Sequence, residues 1–310
     1  MQTICGVDVS QAWLDAWIEA VGHQRFANTP EGADALGAVC DANGVELVVM
    51  EASGGVERPP FLALWQRAQP CAIANARSVR KFAEAMGYLE KTDRIDAEMI
   101  ARFAEAKRMV PTPPPSADQQ KLTALATRLR QVTRDLGVQK RRLYSTSEPL
   151  ALDSLKEAIA FFGNQAKRLA TEIASLVEAD PLWVALDRTF RSVKGVADRT
   201  VAFILADLPE IGTMSNRAIT KLVGLAPLAD DSGKRQGPRS IRGGRAGVRS
   251  ILFLVADIAR KYDPSLTAFR ERLLAKGLAR MEVRVALARK LLVRLNAKAR
   301  EVRAELANAL

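Results

Sequence analysis

The sequence has few of the residues from which many enzyme sites are built. His23 is its only histidine, which argues against a Ser-His-Asp triad and against a histidine-based metal site. The three cysteines, Cys5, Cys40 and Cys71, show no paired spacing, so we expect neither zinc nor disulfides, but small core residues in a reducing cytoplasm. No signal peptide or membrane-spanning apolar run is recognisable, and we expect no membrane partner.

Acidic residues are scarcer than basic ones, and the imbalance is confined to one part of the chain. The whole sequence carries a formal net charge of +11. Residues 1–89 contain six Lys/Arg and ten Asp/Glu, a charge of −4, which leaves +15 on residues 90–310. This distribution favours nucleic acid as a partner, although a merely soluble basic surface would have the same composition.

Two acidic residues interrupt or end apolar runs that are typical of buried strands. Asp8 lies within residues 3–10, and Glu51 ends the run at residues 45–51. A carboxylate in such a run is costly unless it is paired or bound to a metal. Both residues are therefore candidates for a charged site.

Two further acids, Asp93 and Asp96, stand three residues apart at the start of a predicted helix with Thr92 as its N-cap. Positions i and i+3 share a helix face, so the two carboxylates point the same way. They form either a solvated first turn favoured by the helix dipole or, with Asp8 and Glu51, a set of oxygen ligands for Mg²⁺. Two such ions can clamp the attacking and leaving oxygens of a phosphoryl transfer.

The predicted order of elements over the first hundred residues is β-β-β-α-β-α-β-α, which is that of the ribonuclease H-like fold. In that fold the first and fourth strands are neighbours, which would bring Asp8 and Glu51 together. The proline-rich segment 110–116 predicts a stiff linker and a domain boundary. The fold class is therefore α/β followed by all-α.

Long helices are expected after the linker, at 117–143 and 150–179. Their apolar residues recur at heptad-like spacing, which fits a coiled coil, within or between chains, and an ordinary bundle about equally well. Helical segments are predicted again from residue 181 to the end of the chain, at 198–207, 215–223, 246–261, 264–275 and 279–307.

Two polar turns in this C-terminal half are candidate phosphate contacts. Lys194 and Gly195 begin a turn of the helix-hairpin-helix kind, in which backbone amides can approach a phosphate. The predicted polar loop 228–244 contains Ser232 and the cations Lys234, Arg235, Arg239, Arg242 and Arg245. A serine hydroxyl can exchange a phosphodiester for a protein-linked ester beside such cations, although a serine next to glycine is also an ordinary turn residue.

These segments make the chain resemble the DEDD transposases of bacterial insertion sequences, the bridge-RNA-guided serine recombinases. The resemblance covers essentially the whole chain and lies in the order and spacing of residues 6–10, 50–54, 91–97, the turn at 195, 224–227 and 231–233. One departure is the single glycine in residues 194–197, where relatives often have a second.

The resemblance implies three parts: a RuvC-like domain at 1–112, a coiled-coil linker at 113–180, and a helical transposase domain with the serine loop at 181–310. It implies Mg²⁺ held by the four acids, Ser232 as nucleophile, and nucleic-acid contacts by Lys194 and the five loop cations. The implied partners are donor and target DNA, a noncoding guide RNA, and a homodimer that assembles to a tetramer on two DNAs. The expected location is the bacterial cytoplasm.

The leading hypothesis is thus an RNA-guided DNA recombinase or transposase that acts through a phosphoserine intermediate. A RuvC-like metal-dependent endonuclease on branched DNA would need the acids but not Ser232, and would form no covalent adduct. A non-catalytic nucleic-acid-binding scaffold would function without magnesium. A sugar-kinase-like ATPase shares the core of the fold, but residues 8–11 lack the glycine-rich phosphate turn it needs.

More than a hundred residues separate Asp96 from Ser232, so we predict that the acids of one subunit act with Ser232 of another. Mixing Asp8→Ala protein with Ser232→Ala protein should then restore partial strand exchange, because mixed dimers contain one intact site. The measurement is strand exchange with a matched guide RNA, for each parent and for the mixture. Heterodimers that form but stay as inactive as either parent would contradict the shared site.

Overall fold

The chain forms two compact units in a computed structural model, Met1–Pro115 and Ser116–Leu310, called here the first and second units. The structure describes residues 2–90, 92–229, 231–233, 235–237 and 239–309, without the side chains of residues 235, 236 and 309. The division falls within the proline-rich segment 110–116. Each unit has its own hydrophobic core.

The first unit is built on a five-stranded mixed sheet. Its strands lie in the order β3-β2-β1-β4-β5 and are β1 (Ile4–Val9), β2 (Trp13–Ile18), β3 (Gly22–Ala27), β4 (Leu47–Glu51) and β5 (Cys71–Ala74). The pairs β1–β2 and β2–β3 are antiparallel, whereas β4 runs parallel to both β1 and β5. The expectation that the first and fourth strands are neighbours is confirmed.

Helices cover both faces of this sheet. Helices α1 (Pro30–Ala42) and α2 (Arg58–Gln66) pack on one face, and α3 (Ala76–Ala85) and α4 (Asp93–Lys107) pack on the other. The Thr92 side chain accepts a hydrogen bond from the Ile95 amide at 3.3 Å, so the predicted N-cap of α4 is confirmed.

The three cysteines meet in the core between the sheet and α1–α2, although they are far apart in the sequence. All three are free and buried, which confirms the prediction that they are core residues. Burial disfavours the thiolate and raises the pKa of Cys71 to about 12, so this thiol is not a nucleophile at neutral pH.

Helix α4 lies directly against the backbone of β1 at Gly6. A Cβ atom at position 6 would lie 2.2 Å from the Ala97 carbonyl oxygen and 2.5 Å from the Ala101 amide nitrogen. Both atoms belong to the backbone, so no side-chain rearrangement can make room for it. Glycine at this position therefore sets how closely α4 approaches the sheet, and with it the position of the first turn of α4.

The second unit begins with two long helices, α5 (Ala117–Leu143) and α6 (Pro149–Glu178), which pack against each other across a short connection. Their apolar stripes are buried in the same core as the helices that follow, through residues such as Leu122, Leu129 and Ile173. The structure thus shows a hairpin within the chain, one of the arrangements that the spacing had left open. The predicted dimer remains a prediction.

Six further helices complete the second unit: α7 (Pro181–Arg191), α8 (Asp198–Asp207), α9 (Asn216–Val223), α10 (Ala246–Ala259), α11 (Pro264–Ala275) and α12 (Arg280–Ala309). Helix α12 contacts α7, α9, α10 and α11 and is therefore the central element. The helices predicted by residue range begin and end within two residues of the observed bounds. No helix in the described part of the chain is both long and apolar enough to cross a membrane.

One element was not predicted. The segment 228–244, expected to be a polar loop, contains a short antiparallel hairpin of β6 (Asp231–Ser232) and β7 (Arg235–Gln236), and Leu228 bridges Ser240. Gly233 has φ of 54° in the turn of this hairpin, a left-handed conformation that glycine adopts at little cost. Period-two patterning does not reveal strands of two residues.

Replacing Gly6 by alanine should destabilise the first unit by about 1–3 kcal/mol, because the added methyl group collides with the backbone of α4. Urea unfolding followed by tryptophan fluorescence reports mainly on this unit, which contains Trp13, Trp17 and Trp65. Gly163→Ala is the control for alanine substitution itself: it lies in α6 of the second unit with open space at its Cβ position and should leave the unfolding of the first unit unchanged. Equal stabilities of Gly6→Ala and wild type would contradict the close packing of α4.

Candidate active site

Asp8 and Glu51 lie at the same end of two neighbouring parallel strands. The ladder pairs Val7 with Met50, and the same register continued by one residue places Asp8 beside Glu51. Alternate residues of a strand share a face, so Asp8 points to the same side as Gly6, the side covered by α4. Glu51 likewise shares its face with residues of β4 that pack in the α4 core. Both acids are half-buried.

The other two predicted acids lie in the first turn of α4, at the same end of the sheet. Glu105, near the other end of α4, lines a cavity with Thr3 at the start of β1, so the helix runs antiparallel to this strand. Its first turn, with Asp93 and Asp96, therefore lies towards Asp8. Asp96 is half-buried, whereas the Asp93 side chain is 62% exposed.

An ion-pair network that the sequence analysis missed lies beside these acids. Asp15 stands opposite Asp8 in the β1–β2 ladder, and its side chain is 3% exposed. Its carboxylate accepts hydrogen bonds from Arg25 Nε at 2.8 Å and Nη2 at 3.1 Å, and His23 Nε2 lies 2.8 Å from its Oδ1. Arg25 Nη2 also donates to Asp93 Oδ2 at 2.7 Å. Hydrogen bonding to Asp15, and to a lesser extent the Asp93 carboxylate, raises the pKa of Arg25.

The sequence indicated part of this network. Asp15 is an acid inside a predicted strand, as Asp8 is, and a buried acid in a sheet calls for a cation across the ladder. The observed register pairs Asp15 with Arg25 directly. The missing information was that register, which depends on the turn between β2 and β3.

The residue types at this site suit a hard divalent cation, since all four predicted ligands are carboxylates. Their arrangement does not form a complete metal site. Within the part of the chain that the structure describes, no three His, Cys, Asp or Glu side chains are grouped closely enough to hold an ion. Asp93 is instead paired with Arg25, so the predicted Mg²⁺ ligand set does not fit as it stands.

Ser232 lies in the small hairpin of the second unit. It stands opposite Arg235 across the two strands, and it is exposed. Lys234, the predicted cation in the turn, lies outside the described residues, and only the backbone of Arg235 is described. The Ser232 side chain is therefore accessible to solvent.

Two predicted phosphate contacts follow the hairpin in different environments. Arg239 Nη1 donates to both carboxylate oxygens of Asp231, each at 2.8 Å, so its charge is compensated by the residue next to Ser232. Arg242 is exposed, and it makes no ion pair or hydrogen bond with the side chains that the structure describes. Arg242 is therefore the better placed of the two to bind a phosphate.

Arg245 has a structural contact. Its guanidinium pairs with Glu210 at 2.5 and 2.6 Å and donates to the Asp207 carbonyl at 2.8 Å, which ties the start of α10 to the end of α8. Burial raises the pKa of Glu210, but the hydrogen bonds and charge of Arg245 lower it overall. A carboxyl whose pKa is lowered by folding stabilises the protein above its unfolded pKa, and this contribution is lost on acidification. The predicted DNA contact by Arg245 would compete with this pair.

Lys194 is exposed on the turn between α7 and α8. Gly195 has φ of 95°, and a Cβ there would lie 2.9 Å from the Ala259 amide nitrogen, so glycine is required both for the turn and for its contact with α10. Among the described residues, the amides of Lys194 and Gly195 donate to no backbone carbonyl. These amides and the Lys194 ammonium suit a phosphate.

Comparison with protein families identifies transposase domains in both units. Residues 5–146 match the family model for DEDD transposases of the IS110 type, described as "Transposase". Residues 187–271 match the model described as "Transposase IS116/IS110/IS902 family". The first match includes the four predicted acids, and the second includes Ser232.

Proteins of Moraxella and Streptomyces resemble the chain in sequence. It is 25% identical to the pilin gene-inverting protein of Moraxella bovis over 306 residues and to that of Moraxella lacunata over 308, with 94% of each chain covered. It is 28% identical over 142 residues to an uncharacterized 43.6 kDa protein of insertion element IS110 from Streptomyces coelicolor, across 45% of this chain and 34% of that protein. The chain therefore contains two segments that match transposase domains of the IS110 type, and it is a DNA-recombination enzyme.

Proposed function

We propose that this enzyme is an RNA-guided transposase or recombinase that cuts and rejoins donor and target DNA through a phosphoserine intermediate. Its proposed cofactor is Mg²⁺, with Asp8, Glu51, Asp93 and Asp96 as ligands, and its proposed nucleophile is Ser232. The observation that carries the proposal is the convergence of the acids at one end of a sheet with the order β3-β2-β1-β4-β5, the order of ribonuclease H-like nucleases. This reading makes the first unit a RuvC-like domain.

Ser232 would allow DNA to be rejoined without ATP. Its Oγ forms a bond to the phosphorus of a phosphodiester while the bond from phosphorus to one DNA oxygen breaks, and the serine proton passes through solvent to that leaving oxygen. One ester is exchanged for another, so little bond energy is lost. A hydroxyl of a second DNA end then attacks the phosphoserine and releases Ser232. We assign to Arg242, an exposed cation of the same segment, the stabilisation of the charge that develops on the phosphoryl oxygens.

The proposed nucleic-acid partners fit the charge of the chain. Residues 260–303, which include α11 and most of α12, contain thirteen Lys/Arg against four Asp/Glu. Donor DNA, target DNA and a noncoding guide RNA are all polyanions that such a surface binds with release of counterions. The guide RNA is proposed on the motif resemblance together with this charge.

The dimer proposed from the heptad-like spacing would use the part of the hairpin near its connection. The stripes of α5 and α6 are buried in the core at residues such as Leu122, Leu129 and Ile173, whereas Leu143 and Leu155, near the connection, are only half-buried. Three large apolar side chains in the half of the hairpin near its connection remain exposed: Tyr144 by 92%, Leu150 by 78% and Phe161 by 58%. We propose that a second copy covers them, in a homodimer that assembles to a tetramer on two DNAs.

The full-length relatives favour one particular outcome, DNA inversion. Both Moraxella proteins are named pilin gene-inverting proteins, and the alignments cover 94% of each chain. Inversion requires cutting and rejoining at two sites of one DNA molecule, so the same site chemistry would serve. The alternative, a metal-dependent endonuclease, would leave cleaved ends and no protein–DNA adduct.

Ser232→Ala should abolish the covalent protein–DNA adduct and lower strand exchange by more than about a thousandfold, because no other group replaces the nucleophile. The measurement is denaturing electrophoresis of end-labelled DNA after incubation with protein, guide RNA and Mg²⁺. Ser240→Ala is the matched control, since it is another exposed serine of the same segment and should keep the adduct. An adduct that persists in Ser232→Ala would remove the nucleophile assignment, and its absence from wild type would favour the endonuclease.

Arg242→Gln and Arg245→Gln should have different effects on DNA binding and on stability. Of the two arginines, Arg245 is the one that pairs with Glu210 and the Asp207 carbonyl. Arg242→Gln should weaken DNA binding and reduce the slope of log affinity against log salt by about 1, without loss of stability. Arg245→Gln should lower the free energy of unfolding by about 1 kcal/mol, a small value because both partners of the pair are 35% exposed. That difference should begin to shrink as the pH falls below 4.5, the ordinary pKa of a glutamate, and should disappear as the pH passes the lowered pKa of Glu210, because protonation removes the charge of the pair.

DNA titrations at several salt concentrations and urea unfolding at two pH values test both statements. Lower stability of Arg242→Gln together with unchanged stability of Arg245→Gln would reverse the assignment of the two residues.

A further inference from the structure

Four arginines and one aspartate of the second unit line a small cavity, called here the arginine cavity, between the end of α10, α11 and the start of α12. Its charged lining residues are Asp257, Arg260, Arg270, Arg280 and Arg284, and its apolar lining residues are Leu274, Val283 and Leu287. Its volume is about 180 Å³, below the roughly 300–1,000 Å³ of sites for drug-sized ligands. A compact group such as a phosphate suits this space better than a larger ligand.

The positive charge of the arginine cavity is only partly compensated. Arg284 Nε lies 2.9 Å from Asp257 Oδ2, and Arg260 Nε lies 3.7 Å from Asp257 Oδ1. Arg270 and Arg280 form no ion pair or hydrogen bond with any residue that the structure describes. Arg280 and Arg284 also stand four residues apart on one face of α12, a spacing at which like charges repel. The lining therefore favours an anion.

Two nitrogen atoms at this cavity are buried without a hydrogen-bond acceptor. They are Arg260 Nε and Arg284 Nε, and neither donates a hydrogen bond within the described part of the chain, although both lie within ion-pair distance of Asp257. A buried donor without an acceptor destabilises the folded protein. Arg284 is nevertheless held in place, because its guanidinium lies over the Phe253 ring, 5.5 Å from the centroid.

We propose that the arginine cavity binds one phosphate group of a bound nucleic acid. The inference rests on the proposed nucleic-acid partners and gives one of their phosphates a defined position. The planar guanidinium presents paired donors that match two phosphate oxygens, and a phosphate can accept hydrogen bonds from several arginines at once. Phosphate contacts of this kind set the register of a nucleic acid on a protein.

This phosphate would not be the one that Ser232 attacks. The arginine cavity is lined on α12 by Arg280, Arg284 and Leu287. A different cavity is lined by Met281, Val285 and Arg289 of α12 together with Ser240 and Ile241, which belong to the segment that carries Ser232. Because a helix turns once every 3.6 residues, these two sets of residues lie on different sides of α12. The arginine cavity is therefore a positioning contact and takes no part in the exchange of bonds.

Arg280→Gln should weaken nucleic-acid binding about tenfold, because a charge-assisted hydrogen bond to phosphate is lost. The measurement is fluorescence anisotropy of the full-length protein with a labelled duplex DNA and with a labelled single-stranded RNA of the same length. The polymer whose affinity falls is the one that supplies the phosphate. Unchanged affinity for both polymers would overturn the inference.

Arg289→Gln is the matched control for the loss of one positive charge. Arg289 is exposed on the same helix and forms no ion pair or hydrogen bond with the described residues, but it lies outside the arginine cavity. Its replacement should weaken binding by less than about threefold, as expected for a solvent-exposed charge. Equal losses in Arg280→Gln and Arg289→Gln would show that general surface charge binds the nucleic acid. All these arginines lack described partners, so the variants should fold, which circular dichroism checks.

A double-mutant cycle tests whether Arg270 and Arg280 bind the same phosphate. Residues that share one ligand group have non-additive effects, so the Arg270→Gln/Arg280→Gln protein should lose less affinity than the product of the two single losses. Its slope of log affinity against log salt should fall by about 1, the value for one phosphate, and not by about 2. The Arg280→Gln/Arg289→Gln protein should lose the full product. Full products in both pairs would exclude a shared phosphate.

Inorganic phosphate separates failure of this inference from failure of the proposed function. Phosphate, compared with chloride at equal ionic strength, should raise the Tm of wild type more than that of Arg270→Gln/Arg280→Gln, because a ligand of the folded state stabilises it. Equal increases would exclude the phosphate site even if nucleic acid binds. A larger increase in wild type, without binding of either polymer, would instead overturn the proposed nucleic-acid partners.

Discussion

Carboxylates that share one end of a small sheet repel each other, and the first unit is organised around the neutralisation of this charge. Asp8 and Glu51 lie on adjacent strands, and the first turn of α4 adds two more acids. A further acid, Asp15, is buried beside them and would be unstable there without a cation. Arg25 supplies that cation and also donates a hydrogen bond to Asp93. A single guanidinium therefore compensates the charge of one carboxylate on β2 and one on α4.

The close approach of α4 to β1 is what places its acids over the sheet. At Gly6 the helix backbone occupies the space where any side chain would start. A helix carried further out by a larger residue would move its first turn away from Asp8. Gly6, two residues before Asp8, therefore helps to form the site through its packing against α4, although glycine has no functional side chain.

The second unit exposes its candidate nucleophile on a segment that is anchored at several points. Helix α12 is the central element, and its buried Asn296 hydrogen-bonds the Gly212 amide and the Met214 carbonyl, at 2.9 and 3.0 Å, which fixes the connection between α8 and α9. The Arg245–Glu210 pair anchors the start of α10 to that same connection. The Ser232 hairpin lies in the next connection, between α9 and α10, where Leu228 bridges Ser240. An exposed serine on an anchored segment can meet a bulky substrate such as duplex DNA.

The sequence by itself determined the element order of the first unit and the helix bounds to within two residues, and it indicated four candidate acids, because periodicity, capping residues and proline are local in the chain. It also indicated that β1 and β4 would be neighbours, because element order strongly limits sheet topology. The role of Ser232 remains a prediction that its exposure supports. Only the tertiary structure decided the partners of Arg25, Arg239 and Arg245, since each pairs across a register or a helix connection that local pattern does not specify. It also decided that the stripes of α5 and α6 pack within the chain, because heptad spacing describes one face of a helix and not which surface covers it.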